Sequence, residues 1–150
     1  MTMRLTDIAE IRELLARHGF RFSKSLGQNF LVADWVPRDI ADSAGLDADT
    51  GVLEIGPGIG CLTQELSERA GRVVAVELDD ALRPVLAETL AGLENVEVVY
   101  GDILRQDLAA LTGEHMPGLR PVVCANLPYN VTTPVLTKLI ESGLFDTVTV

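Results

Sequence analysis

The residues of this chain best suited to handling a ligand are glycines, carboxylates and one asparagine, each at the end of an apolar run. The run GVLEI (51–55) leads into Gly56-Pro57-Gly58-Ile59-Gly60, and a helical stretch follows at once. Glycines at such a bend reach dihedrals closed to other residues and let backbone approach a ligand, although a tight strand-to-helix connection asks for the same residues. Glu77 ends the next run, RVVAVE, where a carboxylate can accept hydrogen bonds from both hydroxyls of a ribose. Asp102, in Gly101-Asp102-Ile103 after the third run, is placed to accept from an adenine amine or simply to cap a helix. Asn126-Leu127-Pro128-Tyr129 follows the fourth run. An asparagine, a proline-fixed turn and an aromatic form a compact device for recognising an amine, or else an Asn-initiated turn with a packing tyrosine. With all of these on one edge, the ligand-site reading outweighs the separate structural ones.

Two cofactor classes use this geometry. Dinucleotide binders favour G-x-G-x-x-G/A, with a small sixth residue and free amides for a pyrophosphate. Here the sixth position is Cys61, and Pro57 removes an amide from the turn. S-adenosylmethionine has no phosphate and carries a cationic sulfonium, which an acidic surround suits. It is therefore favoured over a nicotinamide dinucleotide, the oxidoreductase reading also lacking a candidate hydride-transfer site.

These residues need elements to hold them. Leu5, Ile8, Ile11 and Leu15 fall at helical spacing after a Thr6 or Asp7 cap, giving an amphipathic helix that fades at Gly19. Residues 20–33 read as an extended arm, and Asp34 then caps a helix to about Ala44, with Pro37 in its first turn. From residue 51 short apolar runs alternate with helices: GVLEIG, a helix near 62–69, RVVAVE, a helix near 80–91, VEVVYGD, PVVCAN, a helix near 134–142, and TVTV. Strands apolar on both faces and separated by helices make a parallel sheet covered on both sides. The expected class is α/β, a doubly wound, largely parallel Rossmann-like fold. Residues 1–50 supply N-terminal helices and an arm, and 51–150 an incomplete core truncated near the fifth strand. TVTV begins a strand that nothing follows, so the sequence is expected to be a fragment whose open edge favours self-association.

Composition narrows the partners. The 150 residues carry 12 Lys and Arg against 22 Asp and Glu, a net charge of −10, so any contact with a polyanion must be local. Residues 1–30 hold Arg4, Arg12, Arg17, Arg21 and Lys24 against Asp7, Glu10 and Glu13, a net of +2. Arg17, Arg21 and Lys24, interleaved with Phe20 and Phe22, are the candidate RNA contacts, with a solvated helix face as the plain alternative. Cys61 and Cys124 read as reduced thiols rather than metal ligands, no metal is expected, and His18 reads as a helix-end residue. No apolar run approaches the ~20 residues of a membrane helix and the N-terminus lacks a signal-peptide pattern, so a cytoplasmic protein is expected.

Five segments, LGQNFL (26–31), LEIGPGIG (53–60), VELD (76–79), GDIL (101–104) and NLPYNVTTPVL (126–136), resemble the rRNA adenine dimethyltransferase family from about residue 14 onward. Leu127, Asn130 and the following TTP favour its KsgA type, which acts on small-subunit rRNA, over the large-subunit antibiotic-resistance type, which stays open as an alternative. The resemblance implies S-adenosylmethionine-dependent dimethylation of the 6-amino groups of two adjacent adenines near the 3′ end of 16S rRNA, within an immature 30S subunit. It places Gln28, Asn29 and Leu31 beside the cofactor's methionine and adenosine parts, and Glu54, Gly56 and Gly58 along its middle. Glu77 would hold the ribose and Asp102 with Ile103 the adenine. Asn126, Leu127, Pro128 and Tyr129 would hold the target base, with Asn126 also bordering the cofactor. The family continues into two more strands and a smaller helical domain that this sequence lacks. A different class of function, a non-catalytic module that binds assembling subunits, remains the competing reading.

Overall fold

The computed structural model describes residues 5, 8–19, 35–127 and 129–150. Five parallel strands form one sheet in the order β3-β2-β1-β4-β5, with β1 Thr50–Ile55, β2 Arg72–Glu77, β3 Val96–Tyr100, β4 Arg120–Ala125 and β5 Val148–Thr149. Central β1 sets Leu53 opposite Val74 of β2 on one side and Val123 of β4 on the other. The chain first adds strands on one side of β1 and then returns to add β4 on the other. The crevice at that switch, beyond the carboxyl ends of the strands, is where open α/β sheets bind ligands.

Alternating side chains send each strand into two cores. Leu53, Ile55, Val74, Val76, Val123 and Ala125 pack with Leu108 and Leu111 of α5 (Leu108–His115) and Val135 and Leu139 of α6 (Tyr129–Ser142). On the other face, Val52, Val73, Val122 and Cys124 pack with α2 (Trp35–Ser43) and α3 (Cys61–Arg69). There, Ile11, Leu14 and Leu15 of α1 (Ile8–Arg17) pack with Val85 and Leu86 of α4 (Arg83–Thr89). Both faces are thus covered, as runs such as VVAV require. Among the described residues no helix is long and apolar enough to cross a membrane.

Three elements differ from the sequence reading. The stretch 80–91 is not one helix: Asp79 caps a 3-10 turn, Asp80–Leu82, and α4 starts afresh at Arg83 with Pro84 in its first turn, where no amide partner is needed. Helix α6 begins at Tyr129 rather than near 134, so Pro134 lies inside it. The proline costs one amide bond a turn from the start, and Val135 and Leu139, both buried, hold the helix down. Helix α5, absent from the reading, is eight residues capped by Asp107, whose side chain accepts from the Ala110 amide.

Candidate functional site

Glu54, the last residue but one of β1, is 1% exposed and accepts a hydrogen bond from the Thr63 hydroxyl of α3. Burial pushes its carboxyl up to about 8, against the pull of the Thr63 bond, and the nearby Glu77 charge adds to the rise. The glycine turn lies directly beyond: Gly56, Gly58 and Gly60 have φ of 70°, 59° and 100°, left-handed values that glycine adopts without strain. A Cβ on Gly56 would meet nothing within 4 Å, so the backbone there borders open space at the sheet edge. The Gly56 amide donates to the Val76 carbonyl at 2.9 Å, stitching the turn to β2.

Glu77 ties this turn to the second strand. Its Oε1 accepts from the Gly58 amide at 3.1 Å and its Oε2 from the Asp79 amide at 2.8 Å, so one carboxylate shapes both loops. Burial raises its pKa, and the amides of Asp79 and Gly58 oppose that rise by stabilising the charged form. Asp102 takes the capping role: its Oδ1 accepts from the Leu104 amide at 2.9 Å and starts the 3-10 turn Ile103–Arg105. Ile103 is buried against the core under α6. Asn126 is exposed just past β4, and Leu127, packed on the same core, carries the chain toward α6.

One sheet edge therefore gathers Glu54, Gly56, Gly58, Glu77, Asp102, Ile103, Asn126 and Leu127 at adjacent strand ends. Gln28, Asn29, Leu31, Arg21, Lys24 and Pro128 lie outside the described residues, as does the Tyr129 side chain, although Tyr129 is the first residue of α6. Arg17 is paired with Glu88 of α4, Nη1 to Oε1 at 2.7 Å, and His18 at the end of α1 meets the other oxygen at 2.6 Å. Two residues next to the candidate site escaped the sequence reading. Thr63 has no signature inside a helix; Leu78 is 71% exposed immediately after Glu77, and an apolar residue following an acidic strand end was its only signal.

The donor set fits a cationic nucleoside cofactor. The Glu77 carboxylate and the buried Glu54 carboxyl sit beneath a turn in which Gly56 leaves room above, and Pro57 denies that turn one of the amides a pyrophosphate would need. Cys61 and Cys124 are buried thiols, each pushed up to about 12 by burial and by Glu54, hence unreactive. Among the described residues no group of three or more His, Cys, Asp or Glu is placed to hold a metal.

The comparisons with known proteins agree with this geometry. A family model described as Ribosomal RNA adenine dimethylase matches residues 19–150. The ribosomal RNA small subunit methyltransferase A of Geobacillus thermodenitrificans is 50% identical over 134 residues, 89% of this chain and 46% of its own. That of Ligilactobacillus salivarius is 48% identical over 155 residues, taking in 100% of this chain and 52% of its own. The chain thus spans about half the length of the curated relatives it matches. Among solved structures, the 23S rRNA methyltransferase ErmE superposes with a TM-score of 0.69 at 34% identity, over 79% of this chain and 46% of that one. A dimethyladenosine transferase from Plasmodium falciparum gives 0.57 at 29%, over 74% and 38%. The fold is that of the S-adenosylmethionine-dependent rRNA methyltransferases, and the chain belongs to the ribosomal RNA adenine dimethylase family.

Proposed function

We propose that this chain carries the cofactor-binding and methyl-transferring machinery of a small-subunit rRNA adenine dimethyltransferase. The observation that carries the reading is the convergence of the glycine turn, Glu77 and Asn126-Leu127 on one sheet edge. When bound, S-adenosylmethionine supplies an electrophilic methyl on a cationic sulfur. Gly56 and Gly58 with Glu54 would border its middle, Glu77 its ribose, and Asp102 with Ile103 its adenine, while the exposed Leu78 is suited to cover a flat ring. Gln28, Asn29 and Leu31 belong to the same proposal through their match to the family's arm.

The residues after β4 act on the other reactant. An adenine amine is a poor nucleophile because its lone pair is delocalised into the ring. The Asn126 side-chain oxygen and the Leu127 carbonyl would accept its two hydrogens, letting the nitrogen pyramidalise and aim its lone pair at the methyl. Pro128 is proposed from the family motif, and Tyr129 would stack on the base once it leaves its helix, a contact worth ~1 to 3 kcal/mol. The positive charge that passes to the amine is lost with its proton to water, so no strong base is required beforehand. A second transfer leaves one hydrogen to hold, so the pocket must accept a methyl beside Asn126 or Leu127.

Titration calorimetry of this chain with S-adenosylmethionine is expected to give saturable one-to-one binding; the absence of heat and of any melting shift sinks the reading. With labelled cofactor and undermethylated small subunits, Asn126→Ala is expected to lose transfer by ~100-fold or more at little cost in cofactor affinity, because the lost bonds act on the transition state. A chain that binds subunits and cofactor without transfer would instead be the non-catalytic module. Large subunits in the same assay test the alternative substrate, which identities near 50% to small-subunit enzymes, against 34% to ErmE, disfavour.

A further inference from the structure

We infer that Lys138 is a positioning residue that sets the shape of the purine-reading loop from the helix behind the Asn126 motif, an inference that rests on the function proposed above. Lys138 lies in α6, nine residues after Tyr129 and so about 13 Å farther along the helix axis. Its ammonium donates to the Leu104 carbonyl at 2.8 Å and to the Gln106 carbonyl at 2.7 Å. These carbonyls flank the exit of the 3-10 turn that Asp102 starts, and both bonds have the short length of charged donors.

The loop's own bonds stop short of that exit. The Leu104 amide goes to Asp102 Oδ1, the Arg105 amide to the Asp102 carbonyl at 2.9 Å and the Gln106 amide to the Ile103 carbonyl at 3.3 Å. They close the turn upon itself without joining it to the rest of the molecule. Contacts from outside the turn do that. Ile103 is buried among core residues that include Val135 and Leu139 of α6, and Lys138, one residue before Leu139, fastens the backbone on the far side of Ile103. At the loop's start, a Cβ on Gly101 would come within 2.6 Å of Gln106 Nε2, so the Gln106 side chain folds back over Gly101. The entry is fixed separately, the Gly101 amide donating to the Glu77 carbonyl at 2.8 Å, so Asp102 is held between that bond and the exit that Lys138 fastens. One helix thus carries the amine motif at its start and, through Lys138, the orientation of the proposed adenine acceptor Asp102 at its third turn.

The test compares purine recognition with mere stability. S-adenosylhomocysteine and S-inosylhomocysteine differ on one purine edge, a 6-amine with an N1 acceptor against a 6-oxygen with an N1–H donor, and calorimetry of this chain with each gives a preference ratio. Lys138→Met is expected to lower that ratio by about fivefold, as for a hydrogen bond to a carboxylate that is loosened rather than removed, with the inosine compound's affinity and the melting temperature little changed. Lys138→Arg, which keeps a charged donor of similar reach, should restore most of the preference. A ratio unchanged in Lys138→Met overturns the inference, and so does an equal loss for both ligands alongside a lowered melting temperature, which marks a purely structural tie. Should Lys138→Met not fold, Lys138→Gln is the milder variant, with an intermediate ratio expected and the parent's ratio overturning. A parent chain that binds neither compound overturns the proposed function and this inference with it. A discriminating parent with an equally discriminating Lys138→Met overturns this inference alone.

Discussion

At the scale of single residues, Glu54 has the largest consequence for the protein's behaviour. It is 1% exposed, and its carboxyl is pushed from 4.5 to about 8, so near neutral pH the folded chain holds a proton there. The unfolded chain gives that proton up near 4.5. Between the two values the folded state binds more protons, so stability is full below about 4.5, declines as pH rises towards about 8, and levels off beyond. Glu77, also raised by burial, works in the same direction. Urea unfolding from pH 5 to pH 8 is expected to show a loss of roughly 3 kcal/mol in the parent and a much flatter profile in Glu54→Gln; a flat parent profile would remove the buried acid from the account. Glu77 was legible as a candidate because a strand-end carboxylate following a glycine turn can accept from a ribose, whereas Glu54 entered the candidate site only through the resemblance of LEIGPGIG to the family. Thr63 and Lys138 were not legible. One sits at an ordinary helical position and meets Glu54 only after folding, and the other is bonded to backbone carbonyls, which leave no mark in a sequence.

At the scale of elements, the glycine turn separates what the fold needs from what a ligand needs. Gly60 has φ of 100° and caps α3, and a Cβ there would lie 2.9 Å from Thr89 Oγ1 and 3.1 Å from Leu90 Cδ2. Backbone strain and crowding therefore act together. Gly60→Ala is expected to lower unfolding stability by about 2 to 4 kcal/mol, read from the urea midpoint. Gly56 has φ of 70° but open space around it, so Gly56→Ala should cost about 1 to 2 kcal/mol while placing a methyl where the cofactor is proposed to lie. Its calorimetric affinity is expected to fall by more than its stability does, and equal losses would move the cofactor away from Gly56. The strand–turn–helix order was legible at β1, β2 and β4, where runs buried on both faces admit no helical period, and at the half-buried β3 from its short apolar run VEVVY. Helix α5 was not, because LAALTGEH has only two buried side chains, Leu108 and Leu111, and too few turns to display a period. The start of α6 was misplaced for a different reason: a proline is best tolerated in a helix's first turn, whereas Pro134 lies inside this one, which begins at Tyr129.

At the scale of the whole molecule, a net charge of −10 confines any RNA contact to a local surface, and the structure alters which bases supply it. Arg17 is engaged by Glu88, whose carboxyl is held below its ordinary value by His18 and Arg17 and so remains charged at neutral pH. A phosphate reaching Arg17 must displace that carboxylate, so Arg17 gains little from releasing a counterion. Arg21 and Lys24 lie outside the described residues, and their contribution is argued from sequence alone. For a short single-stranded rRNA oligonucleotide, each phosphate neutralised adds about 0.7 to the slope of log affinity against log salt. Replacing Arg21 and Lys24 together is expected to flatten that slope by about 1.4, and adding Arg17→Ala to change it little further. Glu88→Gln should steepen the parent slope by somewhat under 0.7 by releasing Arg17, with circular dichroism checking that α1 still packs on α4. Fluorescence anisotropy at several salt concentrations measures the parent, these three variants and Arg17→Ala alone. An unchanged slope in every variant places the RNA surface elsewhere, whereas a full-sized flattening in Arg17→Ala alone means that Glu88 does not compete with the phosphate.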